Sequence, residues 1–261
     1  IKHSHQGFRV DVRTEPTFVD ADLCVLCGRC VQVCPVNCDG RKAIGFAGRH
    51  SLPGGAVIDK RRLPLCREGC PLGVNVQGYV ALAAAGRFAE ALDLVRQRNV
   101  LPGICGRICT HPCEEACRRN EQDQAVAIRD IKRFLADEEI RHGAAGKSDA
   151  PGPAERAEKI AVIGSGPAGL AAAAELARQG CRVTVYEKEQ QAGGLLRYGI
   201  GPHRLPRNIL DLELAWIERL GVTFVLGRNI DFKKDLPGLA KEHDAVLVTA
   251  GTWADRKLDA P

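Results

Sequence analysis

The sequence of 261 residues contains no methionine and begins at Ile1. A chain without a starting methionine reads as a piece of a longer protein. Its end at Pro261 falls inside a nucleotide-binding pattern, which points the same way. It has no apolar run long enough to span a bilayer. Residues 1–20 are polar and mixed in charge, so no signal peptide is visible, and the expected compartment is the cytoplasm. Charge of one sign is also lacking: 37 basic and 32 acidic residues leave a formal +5, too mild to argue for a nucleic-acid partner. No Ser/His/Asp or paired-carboxylate constellation stands out, so the chemistry is expected from cofactors.

Cysteine, by contrast, is abundant, at 12 residues. Ten of these sit in short-spaced clusters beside a nucleotide-binding pattern, which favours metal ligation over a disulfide framework. The first cluster is Cys24-x2-Cys27-x2-Cys30-x3-Cys34-Pro35. That is the spacing of a bacterial ferredoxin half-site, in which the fourth cysteine usually reaches a different cluster. Zinc sites instead pair two separated C-x-x-C units. Gly28 gives the loop room to bend towards the sulfurs. Cys38 lies outside the pattern and reads as a plain thiol. The second set is Cys66-x3-Cys70-Pro71 and then Cys105, Cys109, Cys113 and Cys117, evenly spaced. Pro112 argues against one continuous helix there, so two short turns are expected. Arg29, Arg67, Arg107 and Arg118 stand beside cysteines. They are either solvated surface or local compensation for the negative charge of thiolate-held clusters.

Around these cysteines residues 74–82 and 88–95 read as helices, and Val126 to Leu135 as an amphipathic helix ending near His142. Phe8, Val10 and Val12 alternate as a short strand, expected to join strands lying upstream. Gly143 to Ala157 reads as a linker.

From residue 158 the pattern changes. Ile160 to Ile163 is a buried-strand run that leads into Gly164-Ser165-Gly166-Pro167-Ala168-Gly169 and then an alanine-rich helix over Leu170 to Gln179. A second strand over Cys181 to Glu187 completes a βαβ unit. Gly164 permits the turn, Gly166 admits a pyrophosphate and Gly169 allows close helix–strand packing. Glu187 would take the ribose hydroxyls and repel a 2′-phosphate, so FAD or NAD is preferred to NADP. Lys188 adjoins it. Gly193-Gly194 and Leu195 would extend the cradle along a longer cofactor, and Arg197 is expected near its pyrophosphate. A helix over 207–220, a strand over 222–226 and a strand from Asp244 closing on Thr249-Ala250-Gly251 follow. His203 is either a satisfied loop histidine or a flavin contact.

The Glu-x5-Gly-Gly and strand-Thr-x-Gly pair resembles two-dinucleotide-binding flavoproteins, where both features contact FAD. Residues 64–256 resemble the glutamate synthase small-subunit family, on Cys66-x3-Cys70-Pro71, Leu101-Pro102-x2-Cys105-Gly106-Arg107-x-Cys109, Cys113-x3-Cys117 and the helix near Ala127 to Phe134. The resemblance implies a helical domain whose four-iron clusters exchange electrons with FAD, and NAD(P)H reaching the flavin through a separate domain. Two departures matter. An extra C-x-x-C that often precedes the position of Cys66 is replaced by Arg61 to Leu65. A Gln or Glu ligand of some members falls nearest to Lys132, which cannot ligate that way. The helical segment then holds one cluster, or borrows a ligand for a second. Residues 1–60 are similar to the ferredoxin insert of heterodisulfide reductase A-like proteins, on Val19-Asp20-x3-Cys24, the Cys-Pro ending, Arg41-Lys42-Ala43-Ile44 and Val57-Ile58-Asp59-Lys60.

The expected architecture is thus a ferredoxin-like segment over 1–60, an all-α iron–sulfur domain over 61–142, a linker over 143–157 and an α/β Rossmann-like FAD domain over 158–261. The expected function is an oxidoreductase moving electrons between FAD and about two or three 4Fe–4S clusters, with a redox partner subunit or a ferredoxin-like protein. The alternatives are a zinc-stabilised interaction module and a non-catalytic electron-transfer subunit.

Overall fold

A computed structural model describes residues 2–4, 7–9, 17–34, 42–46, 55–58, 63–142 and 156–252. Val10, Val12, Cys38, Arg41, Asp59 to Arg62 and most of the expected linker lie outside these residues. The chain divides into two compact units, Ile1–Leu63 and Pro64–Pro261.

In the first unit β1 (Lys2–Ser4) pairs antiparallel with β2 (Gly7–Arg9). The cysteine loop runs into a short helix, α1 (Arg29–Val33), and β3 (Ile44–Phe46) pairs antiparallel with β4 (Ala56–Ile58). Gly28 takes a left-handed φ of 75° where the loop turns into α1, a conformation that favours glycine.

The second unit opens with α2 (Leu65–Glu68), α3 (Val76–Ala84) and α4 (Phe88–Arg96). Asn75 caps α3 by accepting from the Gly78 N–H at 3.1 Å. α4 buries Ala91, Leu92 and Val95, the face its period demands. The evenly spaced cysteines fall on α5 (Pro102–Ile108), α6 (Pro112–Glu115) and the 3₁₀ turn after it (Arg118–Glu121), or on the residues that flank them. The break expected at Pro112 is present, and His111 before it has φ 53°. α7 (Ile128–Arg141) lies across the others and buries Ile128, Leu135 and Ala136.

The α/β part consists of β5 (Lys159–Ile163), α8 (Pro167–Arg178), β6 (Arg182–Tyr186), α9 (Leu195–Tyr198), α10 (Arg207–Arg219), β7 (Thr223–Val225), α11 (Leu236–Glu242) and β8 (Ala245–Val248). The sheet is parallel throughout, in the order β7-β6-β5-β8. α8 starts three residues before the expected Leu170, because Pro167 occupies its first turn, where a missing N–H costs nothing. The short α9 and α11 have too few residues to show a period in sequence.

One core runs through both parts of this unit. Val100, Leu101 and Ile104, at the junction of α4 and α5, share a buried cluster with Leu170, Leu210 and Ile217. Polar contacts reinforce the seam. Arg96 pairs with Glu139 through both guanidinium nitrogens at 2.6 and 2.7 Å and stacks over Trp216 at 4.8 Å. Arg178 donates to the Arg96 carbonyl at 2.8 Å. Glu213 of α10 accepts the Gly103 N–H of α5 at 2.6 Å, while its other oxygen is buried without a partner.

Burial pushes the Glu213 carboxyl up to about 7, and Glu139 adds to that. Arg96, the Gly103 N–H and Arg107 only partly oppose it. In the unfolded chain the same group titrates near 4.3, so it holds its proton more tightly when folded. Its contribution to stability is complete below about pH 4, falls as pH rises through 7 and is lost above that. Glu213→Gln keeps the acceptor but cannot ionise. Thermal melts from pH 5 to 8 should therefore show the variant losing less stability with pH than the wild type. Parallel slopes would contradict the assignment.

Candidate functional site

The first site lies at the carboxyl ends of β5, β6, β7 and β8, where an open parallel sheet binds ligands. Gly164 has φ 103°, and a Cβ there would stand 2.5 Å from the Thr249 carbonyl oxygen. A Cβ on Gly169 would overlap the Gly164 carbonyl oxygen and stand 2.7 Å from Thr249 Oγ1. Gly166 differs: a Cβ there meets nothing within 4 Å and would project into open space. Gly164 and Gly169 thus both serve close packing, while Gly166 leaves the space in front of α8 open. The first N–H groups of α8 have no partners within the helix, and the positive end of its dipole favours an anion there.

Glu187 is buried at the end of β6. Its Oε2 accepts from the Ser165 N–H at 2.9 Å and from Ser165 Oγ at 2.5 Å, and its Oε1 accepts from the Glu189 N–H at 3.0 Å. Burial disfavours the charge, but the Ser165 hydroxyl and the backbone N–H groups outweigh it and hold the carboxyl below its ordinary range. The acid is therefore an anion locked to the glycine turn, with lone pairs left for a ribose. Ser165 continues the clamp: the Gly193 N–H donates to its Oγ at 3.0 Å and to its carbonyl at 3.1 Å. Gly194 packs so closely on the turn that an added Cβ would lie 2.7 Å from Gly166 Cα.

Pro167, Ala168, Glu187, Lys188, Gly194, Leu195 and Gly251 line one cavity together with Gly164 and Gly166. Gly169 and Gly193 stand behind this wall as packing positions. Arg197 is not brought to the cavity. Its Nε donates to the Ala192 carbonyl at 2.7 Å and it pairs with Asp211, so it braces the Gly193-Gly194 turn from behind. His203 borders a different groove with Ile108 and Arg204. The cavity also has a wall that the motif does not announce, formed by Arg228, Asn229, Ile230 and Phe232. The available signal is topological: β7 is parallel to β6, so the loop leaving it must emerge beside Glu187.

The second site is the cysteine-bearing face of the helical part. α2 lies on α6 so closely that a Cβ on Gly69 would stand 3.1 Å from Ala116 Cβ. Cys66, Cys70 and Cys113 meet in one core with Tyr79, whose hydroxyl donates to the Ile128 carbonyl at 2.9 Å. Burial pushes the Cys113 thiol up to about 11, Cys70 adds to this, and Lys132 opposes it. Burial likewise raises Cys66, with its backbone bond to Arg67 opposing and Cys117 and Cys70 adding. Cys105 is raised by burial while Lys132 and Asn99 oppose. Cys109 Sγ accepts the His111 N–H at 3.3 Å. The thiols are thus coupled neighbours in a low-dielectric setting, with soft donors suited to iron–sulfur or zinc. Among the described residues no three of His, Cys, Asp and Glu converge tightly enough for a single metal ion. A four-iron cluster asks for something else, thiolates spread to separate corners.

In the first unit Cys24 and Cys34 are half-buried and Cys27 and Cys30 exposed, carried by a tight loop in which Leu26 and Gly28 both have positive φ.

Three family models match separate stretches of the chain. Residues 60–144 match the family described as dihydropyrimidine dehydrogenase domain II, 4Fe-4S cluster. Residues 17–38 match the 4Fe-4S binding domain, and residues 162–220 the NAD(P)-binding Rossmann-like domain. The NADP(+)-dependent formate dehydrogenase subunit beta of Moorella thermoacetica is 38% identical over 212 residues, covering 74% of this chain and 30% of that protein. The NADPH-Fe(3+) oxidoreductase subunit beta of Geobacter sulfurreducens is 38% identical over 77% of this chain and 30% of its own length. The glutamate synthase [NADPH] small chain of Escherichia coli is 33% identical, over 73% and 40% respectively. The chain spans less than half the length of these relatives. Among the described residues no helix is long and apolar enough to cross a membrane.

Proposed function

We propose that this chain, a homologue of the glutamate synthase small chain and of related NADPH-linked oxidoreductase subunits, is the electron-transferring part of an FAD- and iron–sulfur-dependent oxidoreductase. One observation carries the choice of FAD. The Gly193-Gly194 turn, six residues past Glu187 as in two-dinucleotide-binding flavoproteins, is built directly onto the glycine loop through Ser165, which supports a cradle extended towards a flavin. The exposed N–H groups of α8 would hold the pyrophosphate, Glu187 the adenosine ribose, and Gly194, Leu195 and Gly251 the path towards the flavin. FAD exchanges one or two electrons and a cluster one at a time, so together they convert between the two. Cys24, Cys27, Cys30 and Cys34 would hold a 4Fe–4S cluster in the first unit. Cys66, Cys70, Cys105, Cys109, Cys113 and Cys117 would hold one or two in the second. The seam that joins α5 to α10 keeps the thiols at a fixed distance from the flavin fold.

NAD(P)H is the expected two-electron donor or acceptor, reached through a further domain, and a partner subunit or ferredoxin-like protein takes the other end. The thiols require a reducing compartment, and we assign the protein to the cytoplasm. The full-length protein, purified anaerobically, should show flavin bands on a broad iron–sulfur shoulder. Iron chelation under reducing conditions, followed by reoxidation, should remove the shoulder and leave the flavin bands. A colourless protein containing zinc would refute the reading. If isolated protein oxidises no NAD(P)H with an artificial acceptor, it serves as an electron-transfer subunit without turnover of its own.

A further inference from the structure

α7 carries a buried cation, Lys132, with no ion pair among the described residues. Lys132 is 9% exposed, among the most buried charged side chains of the chain. The acids near it are engaged elsewhere: on α7 Asp130 with Arg129, Asp137 with Arg107 and Arg133, Glu138 with Arg141 and His142, and Glu139 with Arg96, and on α6 Glu114, which accepts the Arg129 N–H. Among the described residues no ion pair to Lys132 is found. Burying an unpaired ammonium is costly, so a counter-charge is expected where it points.

The helix packing says where that is. Gly106 of α5 lies against the α7 backbone at Arg133, where an added Cβ would stand 2.8 Å from Arg133 Cα. Lys132 falls with Ile128, Leu135 and Ala136 on the buried face of α7, turned towards the helices that carry the cysteines. That face shares one core with Cys113 through Ile128, Leu135 and Ala136. The arginines that the sequence places next to helical cysteines are occupied. Arg107 pairs with Asp137, Arg118 with Glu121, and Arg67 Nε donates to the Gly73 carbonyl at 3.1 Å. An ammonium has no lone pair and cannot ligate iron.

We propose that Lys132 is the resident counter-charge of the iron–sulfur site that uses Cys113, stabilising the electron gained on one-electron reduction and so raising the reduction potential of that site. The inference rests on the iron–sulfur reading above. Net charge near a cluster is one of the levers that set its potential, and a charge inside the fold is screened little by salt.

The test is a potentiometric titration of the full-length protein, followed by EPR, on the wild type, Lys132→Gln, Lys132→Met and Lys132→Arg, with iron analysis at low and high salt. At a fixed solution potential the reduced-to-oxidised ratio should fall at least about tenfold in both neutral variants, about 59 mV for one electron. It should stay low in high salt and recover in Lys132→Arg. A ratio unchanged in neutral variants that keep their iron overturns the proposal. If the neutral variants lose iron, Lys132→Arg decides: retained iron supports a charge role, and loss in all three shows a packing role instead. A wild type without iron would refute the iron–sulfur reading itself.

Discussion

Gly169→Ala is expected to destabilise the second unit severely, while Gly166→Ala is expected to fold and to bind flavin far more weakly. The glycines lie three positions apart in one motif, yet their surroundings are opposite. At Gly169 a Cβ would run into the Gly164 carbonyl oxygen and Thr249 Oγ1. That oxygen is backbone, and Thr249 Oγ1 donates to it and to the Ile163 carbonyl, each at 3.0 Å. Relief would require α8 to leave β5, so the cost is expected at or above about 3 kcal/mol, the upper end for overpacking. At Gly166 φ is −70° and nothing stands within 4 Å of the added carbon. Replacing a helix-capping Gly by Ala costs no more than about 1 kcal/mol. The methyl would occupy the path by which a pyrophosphate reaches the α8 N–H groups, and a loss of affinity of about 100-fold or more, about 2.7 kcal/mol, is expected. Thermal melts and flavin content of the two variants check this. Bound flavin in Gly166→Ala at the wild-type level would remove the cradle from the proposed role.

The contrast shows which parts of the site a sequence can display. Spacing displays local devices: the glycine turn, the cysteine steps, the Pro112 break and the apolar faces of α4 and α7 all follow from neighbours within a few residues. The partners of those devices are set by topology. Ser165 looks like filler within the motif, yet it ties Glu187 to the Gly193-Gly194 turn. The Arg228 to Phe232 wall comes from a strand whose place beside β6 is not written in its own residues. Sequence order puts Arg197 at the pyrophosphate because it follows the glycine pair. The chain beyond it supplies Asp211 to draw it inward. Nothing in the residues around Glu213 announces that it is buried and bonded to Gly103, 110 positions away.

The same distinction bears on the cysteines, where spacing leaves the grouping undecided and the packing narrows it. α2 packs on α6, so Cys66 and Cys70 share one core with Cys113, while α5, which carries Cys105 and ends at Cys109, packs on α7. Cys113 is the pivot. It is 8% exposed, it shares a core with Cys66 and Cys70, and its thiol is influenced by Cys70, Lys132 and Cys109 together. A cluster built from the α2 and α6 thiols uses it, and so does one built from Cys70 and the α5 thiols. Cys113→Ser is therefore expected to remove at least one cluster, about four irons per chain, whichever grouping holds. Because ligation energy is folding energy, the melting temperature should fall with the iron. Cys181 supplies the control. It is half-buried just before β6, packs against the α/β core and belongs to no cysteine set, so Cys181→Ser should leave iron and colour at wild-type levels. Cys27→Ser should remove the cluster of the first unit and leave that of Cys113 in place. Iron and acid-labile sulfide analysis of the three variants separates these outcomes. Full iron in Cys113→Ser would mean that the buried thiol is core packing and that the clusters, if present, are held by the remaining cysteines.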